Sequence, residues 1–390
     1  MTASCLFRRI LRYFCLYWCF LFFKTLTFAQ NADKSWNSVG ISSEVSFKYG
    51  RIFRHNERFL PQITESSSLY ECHLLLQTRG NKAWQGAWGY PLIGVGLVHA
   101  RFGDADVFGN AWGLLPSVTW QHHFRRFALN YRVGIGLAYL SRFYDVVSNP
   151  TNNVIGSHLN NITQLSVQAV WELHRQWHLL GSVGLNHFSN ARTQLPNLGI
   201  NLPSAGIGLR YFPKTPQKPP VRRVDLDSLR AAIHFAKQWR LGFKVGLGFS
   251  EGQLPLGPKY HIYGTQLHLV RRSSPKWQWL AGIEANYYTG LYYEMRNRWG
   301  QKEPRYSDAM KIAPYLGGEM LLGHLSFSIT TGYYIHNPLF NKIPVATKIG
   351  LHYYAKSNMF NQRNNWWVGV SLKTHYAVAD YAEIGLGYLW

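Results

Sequence analysis

The chain closes on Ala382-Glu383-Ile384-Gly385-Leu386-Gly387-Tyr388-Leu389-Trp390, in which Ile384, Leu386, Tyr388 and Trp390 fall on one parity and two glycines sit between them. Residues i and i+2 of a β-strand face the same way, so this spacing makes a single apolar stripe ending on an aromatic. The same period returns upstream. Leu325, Phe327, Ile329, Thr331, Tyr333 and Ile335 alternate with Ser326, Ser328, Thr330 and Gly332. Thr163, Leu165, Val167, Ala169, Trp171 and Leu173 alternate with Gln164, Ser166, Gln168, Val170 and Glu172, and Leu129 to Tyr139 behaves likewise.

Such segments occur at 41–49, 68–79, 90–102, 110–122, 127–141, 162–174, 177–190, 201–212, 240–250, 259–272, 276–292, 309–322, 324–335, 344–355, 366–375 and 381–390. Their length and apolar/polar alternation suit strands that cross a bilayer with one face to lipid and one to a lumen. Aromatic residues make up 16% of the chain and charged residues only 15%, which favours a membrane barrel over a soluble sandwich of the same period. The terminal stripe resembles the signal by which barrel-assembly machinery recognises outer-membrane proteins. The expected fold is therefore all-β: a transmembrane antiparallel up-and-down β-barrel of roughly 12–16 strands. An even count puts both ends of the barrel on the periplasmic side and the longer connections, 143–161 and 191–200 among them, outside.

Residues 1–29 read as a signal peptide. Arg8, Arg9 and Arg12 precede an apolar run from Tyr13 to Phe23, and Thr27-Phe28-Ala29 offers a cleavage site before Gln30. That run is too short to span, since a transmembrane helix needs about 20 residues. Cys5, Cys15 and Cys19 leave with it, so Cys72 stands alone and a disulfide framework or a Cys-pair metal site is excluded. The sequence calls for no cofactor. The formal charge is +22, of which +4 lies in the signal, leaving +18. On an exported chain this points to the anionic lipopolysaccharide surface of a Gram-negative cell rather than to nucleic acid.

Residues 213–239 interrupt the alternation with Pro213, Pro216, Pro219 and Pro220, then Leu226, Leu229, Ile233 and Ala236 at helical spacing. They read as a periplasmic linker with a short amphipathic helix, dividing the exported chain into front segments, 30–212, and back segments, 240–390. One large barrel, or a smaller barrel with additions, both fit.

Within the segment 177–190, Leu179, Gly181, Val183, Leu185, His187 and Ser189 share a parity. Two polar groups thus stand together on an otherwise apolar face, an unfavourable placement unless they serve a purpose. His187-Phe188-Ser189-Asn190, followed by Pro196-Asn197-Leu198-Gly199-Ile200-Asn201, resembles the H-x-S-N motif and P-N-x-G-I segment of the PagL-type lipid A 3-O-deacylases, or acyloxyacyl hydrolases. Looser similarity runs through Lys82 to Gln85, Pro91, Ile155-Gly156-Ser157 and Asn160, and again from Leu372 to Tyr388. The resemblance implies an outer-membrane serine esterase that removes an ester-linked acyl chain of lipid A, at the 3-position. It makes Ser189 the nucleophile, His187 the base and Asn190 a contributor to the oxyanion hole. It maps the family's acid, by its spacing from the histidine, onto Asn201, where this chain departs from the pattern. An amide oxygen orients an imidazole but brings no negative charge to it. Arg192 and Asn197 are expected to contact substrate, and Arg51, Arg54 and Arg58 to line the outer rim near its phosphates.

Weaker signals have plainer explanations. Gly248-Phe-Ser250-Glu-Gly252 matches the nucleophile-elbow pattern of α/β-hydrolases but precedes Leu254-Pro255 rather than a helix. His122-His123 lacks partners at metal spacing, and Asn152, Asn153, Ser157, Asn160 and Asn161 suit a turn-rich outer loop. Two rival functions remain: a non-catalytic barrel, either a pore or a lapsed enzyme, and an outer-membrane phospholipase.

Overall fold

In the computed structural model the described residues are 40–214, 239–252, 255–297, 303–338, 344–356, 364–376 and 378–390. The expected signal peptide and nearly all of the expected linker lie outside them. Sixteen strands form: β1 (Gly40–Gly50), β2 (Ser67–Gln77), β3 (Leu92–Arg101), β4 (Asn110–Phe124), β5 (Phe127–Leu140), β6 (Leu159–His174), β7 (Trp177–Ser189) and β8 (Ile200–Tyr211) precede the linker. After it come β9 (Trp239–Glu251), β10 (Lys259–Arg272), β11 (Trp277–Tyr288), β12 (Met310–Leu322), β13 (Leu325–Tyr333), β14 (Val345–Tyr354), β15 (Asn365–His375) and β16 (Val378–Leu389).

Within β1–β8 and within β9–β16, each strand pairs antiparallel with its sequence neighbours. β8 returns to β1, Arg210 opposite Glu44, and β16 returns to β9, Leu386 opposite Val245. The question of one large barrel or a smaller barrel with additions is thereby answered by two closed barrels of eight strands each. Eight strands enclose a space just wide enough for side chains to fill. In the front barrel that space is charged in its middle. Glu44 receives both terminal nitrogens of Arg132 at 2.8 and 2.9 Å and one of Arg210 at 2.7 Å, while Glu71 takes Lys48 and Gln164 at 2.8 Å. In the back barrel Glu284 binds Lys348 and Lys373, Glu383 binds Lys244 and Lys348, and Glu319 gathers Gln278, Ser326, His352 and Tyr354. A cavity of ≈ 30 Å³ there is bounded in part by Lys244, His268 and Glu319, room for a water or so.

Outward residues are apolar: Val183, Ile207, Leu241, Val245, Val368 and Ile384 are all exposed. This inverts the rule for soluble proteins and is what a lipid-facing wall requires. We call the rim where β1 begins and β8 ends the near rim, and the opposite one the far rim. At the far rim of the front barrel, Phe59, Phe102, Phe108, Val154, Ile155, Phe188, Ile200 and Leu202 pack into an apolar plug beneath the connecting loops. Those loops are thereby seated on a packed floor.

One expected segment ends early. The sequence pattern extends the strand through residue 292, but β11 stops at Tyr288 and a helix spans Thr289–Asn297. Leu291 and Met295, one helical turn apart, are its buried residues, and their spacing suits a helix where the strand period fails.

The barrels touch at both rims. At the near rim Trp88, just past a helical turn at Ala83–Ala87, donates from Nε1 to the carbonyl of Leu321 at 2.8 Å, and the Lys276 ammonium lies 4.9 Å from its ring centre. At the far rim the backbone N–H of Leu195 donates to the carboxylate of Glu251.

Candidate active site

β7 and β8 form a hairpin in which His187 and Asn201 stand directly opposite. Both, with Ser189, belong to the outward parity of their strands. Between His187 and Ser189, Phe188 points inward and meets the ring of Phe102 at 5.4 Å in the apolar plug. That anchor fixes the end of β7, and with it the two side chains on the other face.

Three side chains then join in series. His187 Nδ1 lies 2.7 Å from Asn201 Oδ1, and His187 Nε2 lies 3.0 Å from Ser189 Oγ. The amide oxygen only accepts, so Nδ1 carries the ring proton and donates it. Nε2 keeps its lone pair and accepts the serine hydroxyl. Ser189 is buried, while His187 and Asn201 are half-buried. Gly199 shapes the pocket: its φ is +79°, and a Cβ there would sit 2.8 Å from His187 Cε1.

The loop 190–199 is closed by its own polar groups. The Asn190 backbone N–H donates to Asn197 Oδ1 at 3.1 Å, and Asn190 Nδ2 donates to Ser157 Oγ at 3.0 Å and to the Gln194 carbonyl at 2.8 Å. Both side-chain amide hydrogens of Asn190 are thus engaged within this part of the structure, and Asn197 Oδ1 closes the loop on the Asn190 backbone. Their neighbours Ser157 and Gln194 complete this set, and Gln194 carried no signal because it contributes only a carbonyl. Arg192 follows in the left-handed region, at φ +63°, as does Ala191 at +55°. Its Nε is buried without a hydrogen-bond partner among the described residues.

A second loop crosses the site. The N–H of Phe53 donates to the Asn201 carbonyl at 2.8 Å, and a His55 ring nitrogen lies 3.1 Å from the Leu198 carbonyl. This brings the 51–66 loop, with Arg51, Arg54 and Arg58, to the rim beside the three side chains. Arg51 is occupied in part by the carbonyl of Ile63. Elsewhere, Ser250 of the elbow-like pattern lies one residue before the end of β9 and donates to the Glu251 carbonyl, with no helix among the described residues before β10. No cluster of metal-ligating side chains occurs among the described residues.

A hydroxyl, an imidazole and an amide thus stand in series on the outer wall of an eight-stranded antiparallel barrel. The chain belongs to the PagL lipid A 3-O-deacylase family, matching the model "Lipid A 3-O-deacylase (PagL)" over residues 70–210 and "Acyloxyacyl hydrolase, C-terminal domain" over residues 237–390. Among solved structures, the outer membrane enzyme PagL is 19% identical over 42% of this chain and 97% of its own, with a TM-score of 0.31. The β domain of the Bordetella autotransporter BrkA is 8% identical over 90% of this chain and 98% of its own, with a TM-score of 0.24. No curated protein matches the chain.

Proposed function

We propose that this protein is an outer-membrane serine esterase that hydrolyses an ester-linked acyl chain of lipid A, at the 3-position, and that Ser189, His187 and Asn201 do the chemistry. The observation that carries this reading is the unbroken pair of contacts from Asn201 through His187 to Ser189. Family membership supplies the substrate class. The apolar wall around the site supports a lipid-facing position, with the far rim outermost and a serine reaching the ester without drawing acyl chains into a filled lumen.

The steps follow from the tautomer. Ser189 Oγ attacks the ester carbonyl carbon as its proton passes to His187 Nε2. The tetrahedral intermediate collapses, and the leaving sugar oxygen takes that proton from the imidazolium. Water, deprotonated by the same nitrogen, then attacks the acyl-serine and releases the fatty acid. Throughout, the Asn201 oxygen holds Nδ1–H and so keeps Nε2 aimed at Ser189. It offers a dipole where an acid offers a charge, which lowers the driving force for proton transfer without removing it.

Mass spectrometry of lipid A from cells making the wild-type chain or Ser189→Ala tests the reading. Loss of one ester-linked acyl chain in the first and its retention in the second are expected. Identical acylation in both refutes it.

A further inference from the structure

Glu251 belongs to the back barrel, at the last position of β9, and is 2% exposed. Its carboxylate accepts one hydrogen bond, from the backbone N–H of Leu195 in the front barrel. A buried carboxylate needs charge partners or several donors to offset its lost hydration, and among the described residues its hydrogen-bond partner is a single peptide of the other barrel. That peptide is the Gln194–Leu195 unit, whose carbonyl accepts Asn190 Nδ2 at 2.8 Å. A negative charge on the N–H side of a peptide strengthens the acceptor on its carbonyl side, since hydrogen bonds in series polarise one another. The series therefore runs from Glu251 through one peptide to Asn190, the residue bonded to Ser189.

The remaining contacts of this loop leave it little freedom. Gly156 presses against the Leu195–Pro196 peptide so closely that a Cβ there would lie 2.6 Å from the Pro196 oxygen. The Gly199 N–H donates to the Val154 carbonyl at 3.0 Å. The front barrel thus supports the loop from one side and Glu251 from the other.

We infer that Glu251 is a positioning residue for the esterase site: the back barrel holds the loop that follows Ser189, and through it Asn190 and the space into which the ester carbonyl enters. This rests on the function proposed above and gives the second barrel a part in it. A positioning role sets how well the bound ester is aligned, so it acts on kcat more than on KM, and misplacement of about 1 Å costs on the order of 100-fold.

The test compares Glu251→Ala, which removes the acceptor, with Glu251→Gln, which keeps an oxygen of the same reach. Turnover of purified lipid A is measured for the refolded full chain, with the folded band on unheated gels confirming both barrels. Loop order is followed separately by a nitroxide at Gln194→Cys, in a chain without its other cysteines. For Glu251→Ala we expect kcat to fall about tenfold with KM within about twofold, and the label to become mobile. Glu251→Gln should restore loop order and most of kcat. An unchanged label in Glu251→Ala, or a mobile label with unchanged kcat, overturns the inference. If wild type and Ser189→Ala deacylate equally, the proposed function fails instead, and the label alone decides whether Glu251 orders the loop.

Discussion

At the scale of single residues, the site turns on Asn201. Its oxygen is 2.7 Å from His187 Nδ1, so orientation is supplied and charge is not. Asn201→Ala removes the acceptor and frees the ring, and kcat for lipid A deacylation should drop by about 100-fold or more, given that relays of this kind lose most of their rate when the imidazole tautomer is no longer held. Asn201→Asp keeps the length and adds the charge. A charge-assisted bond to the imidazolium is roughly twice as strong as a neutral one, so kcat should rise, by about tenfold. Steady-state kinetics on the two variants decides this, and equal rates in both would leave Asn201 with no orienting role. Gly199→Ala is the steric counterpart. Its φ of +79° disfavours any Cβ, and the added carbon would meet His187 Cε1 at 2.8 Å. Activity should fall at least tenfold while the barrel still folds, because a displaced ring loses its aim on Ser189. A Gly199→Ala chain as active as wild type would show that His187 has room to move.

At the scale of elements, strand parity was the part most open to reading from sequence. A period of two fixes which side chains share a face, and the hairpin of β7 and β8 puts His187 opposite Asn201 once its loop length is set. The closeness of His187, Ser189 and Asn201 was therefore legible. The loop was not. The Asn190 backbone N–H donates to Asn197 Oδ1 across the turn, a pairing that depends on three-dimensional closure and leaves no periodic trace. The same holds for Glu251, which reaches the loop from an element that sequence reading assigns to a different segment. Arg192 stands out on this loop, with a left-handed backbone and a buried Nε that has no partner among the described residues. It remains suited to an anionic group entering beside Ser189. Arg192→Ala should raise KM about tenfold for lipid A bearing its phosphates and leave KM for the dephosphorylated lipid within about twofold, since a lost charge-assisted bond is worth about 1.5–3 kcal/mol. Equal effects on both substrates would assign Arg192 to loop structure alone.

At the scale of the whole molecule, alternation does not say where a sheet closes. β8 pairs with β1 rather than extending to β9, and that choice rests on the complementary lumens: Glu44 of β1 between Arg132 of β5 and Arg210 of β8 in front, and Glu383 of β16 with Lys244 of β9 behind. Each barrel thus carries its own buried ion network and has no backbone ladder with the other. Their described contacts are rim contacts: Trp88 with Leu321, Lys276 and Trp277, and Trp84 beside Gly323, at one end, and Leu195 with Glu251 at the other. Two units held by so few groups should open separately. Glu44→Ala strands Arg132 and Arg210 as unpaired buried cations, a loss of about 3–5 kcal/mol for the front barrel. Hydrogen exchange followed by mass spectrometry in increasing urea should then show peptides of β1–β8 exchanging at lower denaturant than in wild type, with those of β9–β16 unmoved. Joint movement of both sets would mean that the rim contacts bind the two barrels into one cooperative unit, and the separation seen in their hydrogen bonding would then not extend to their stability.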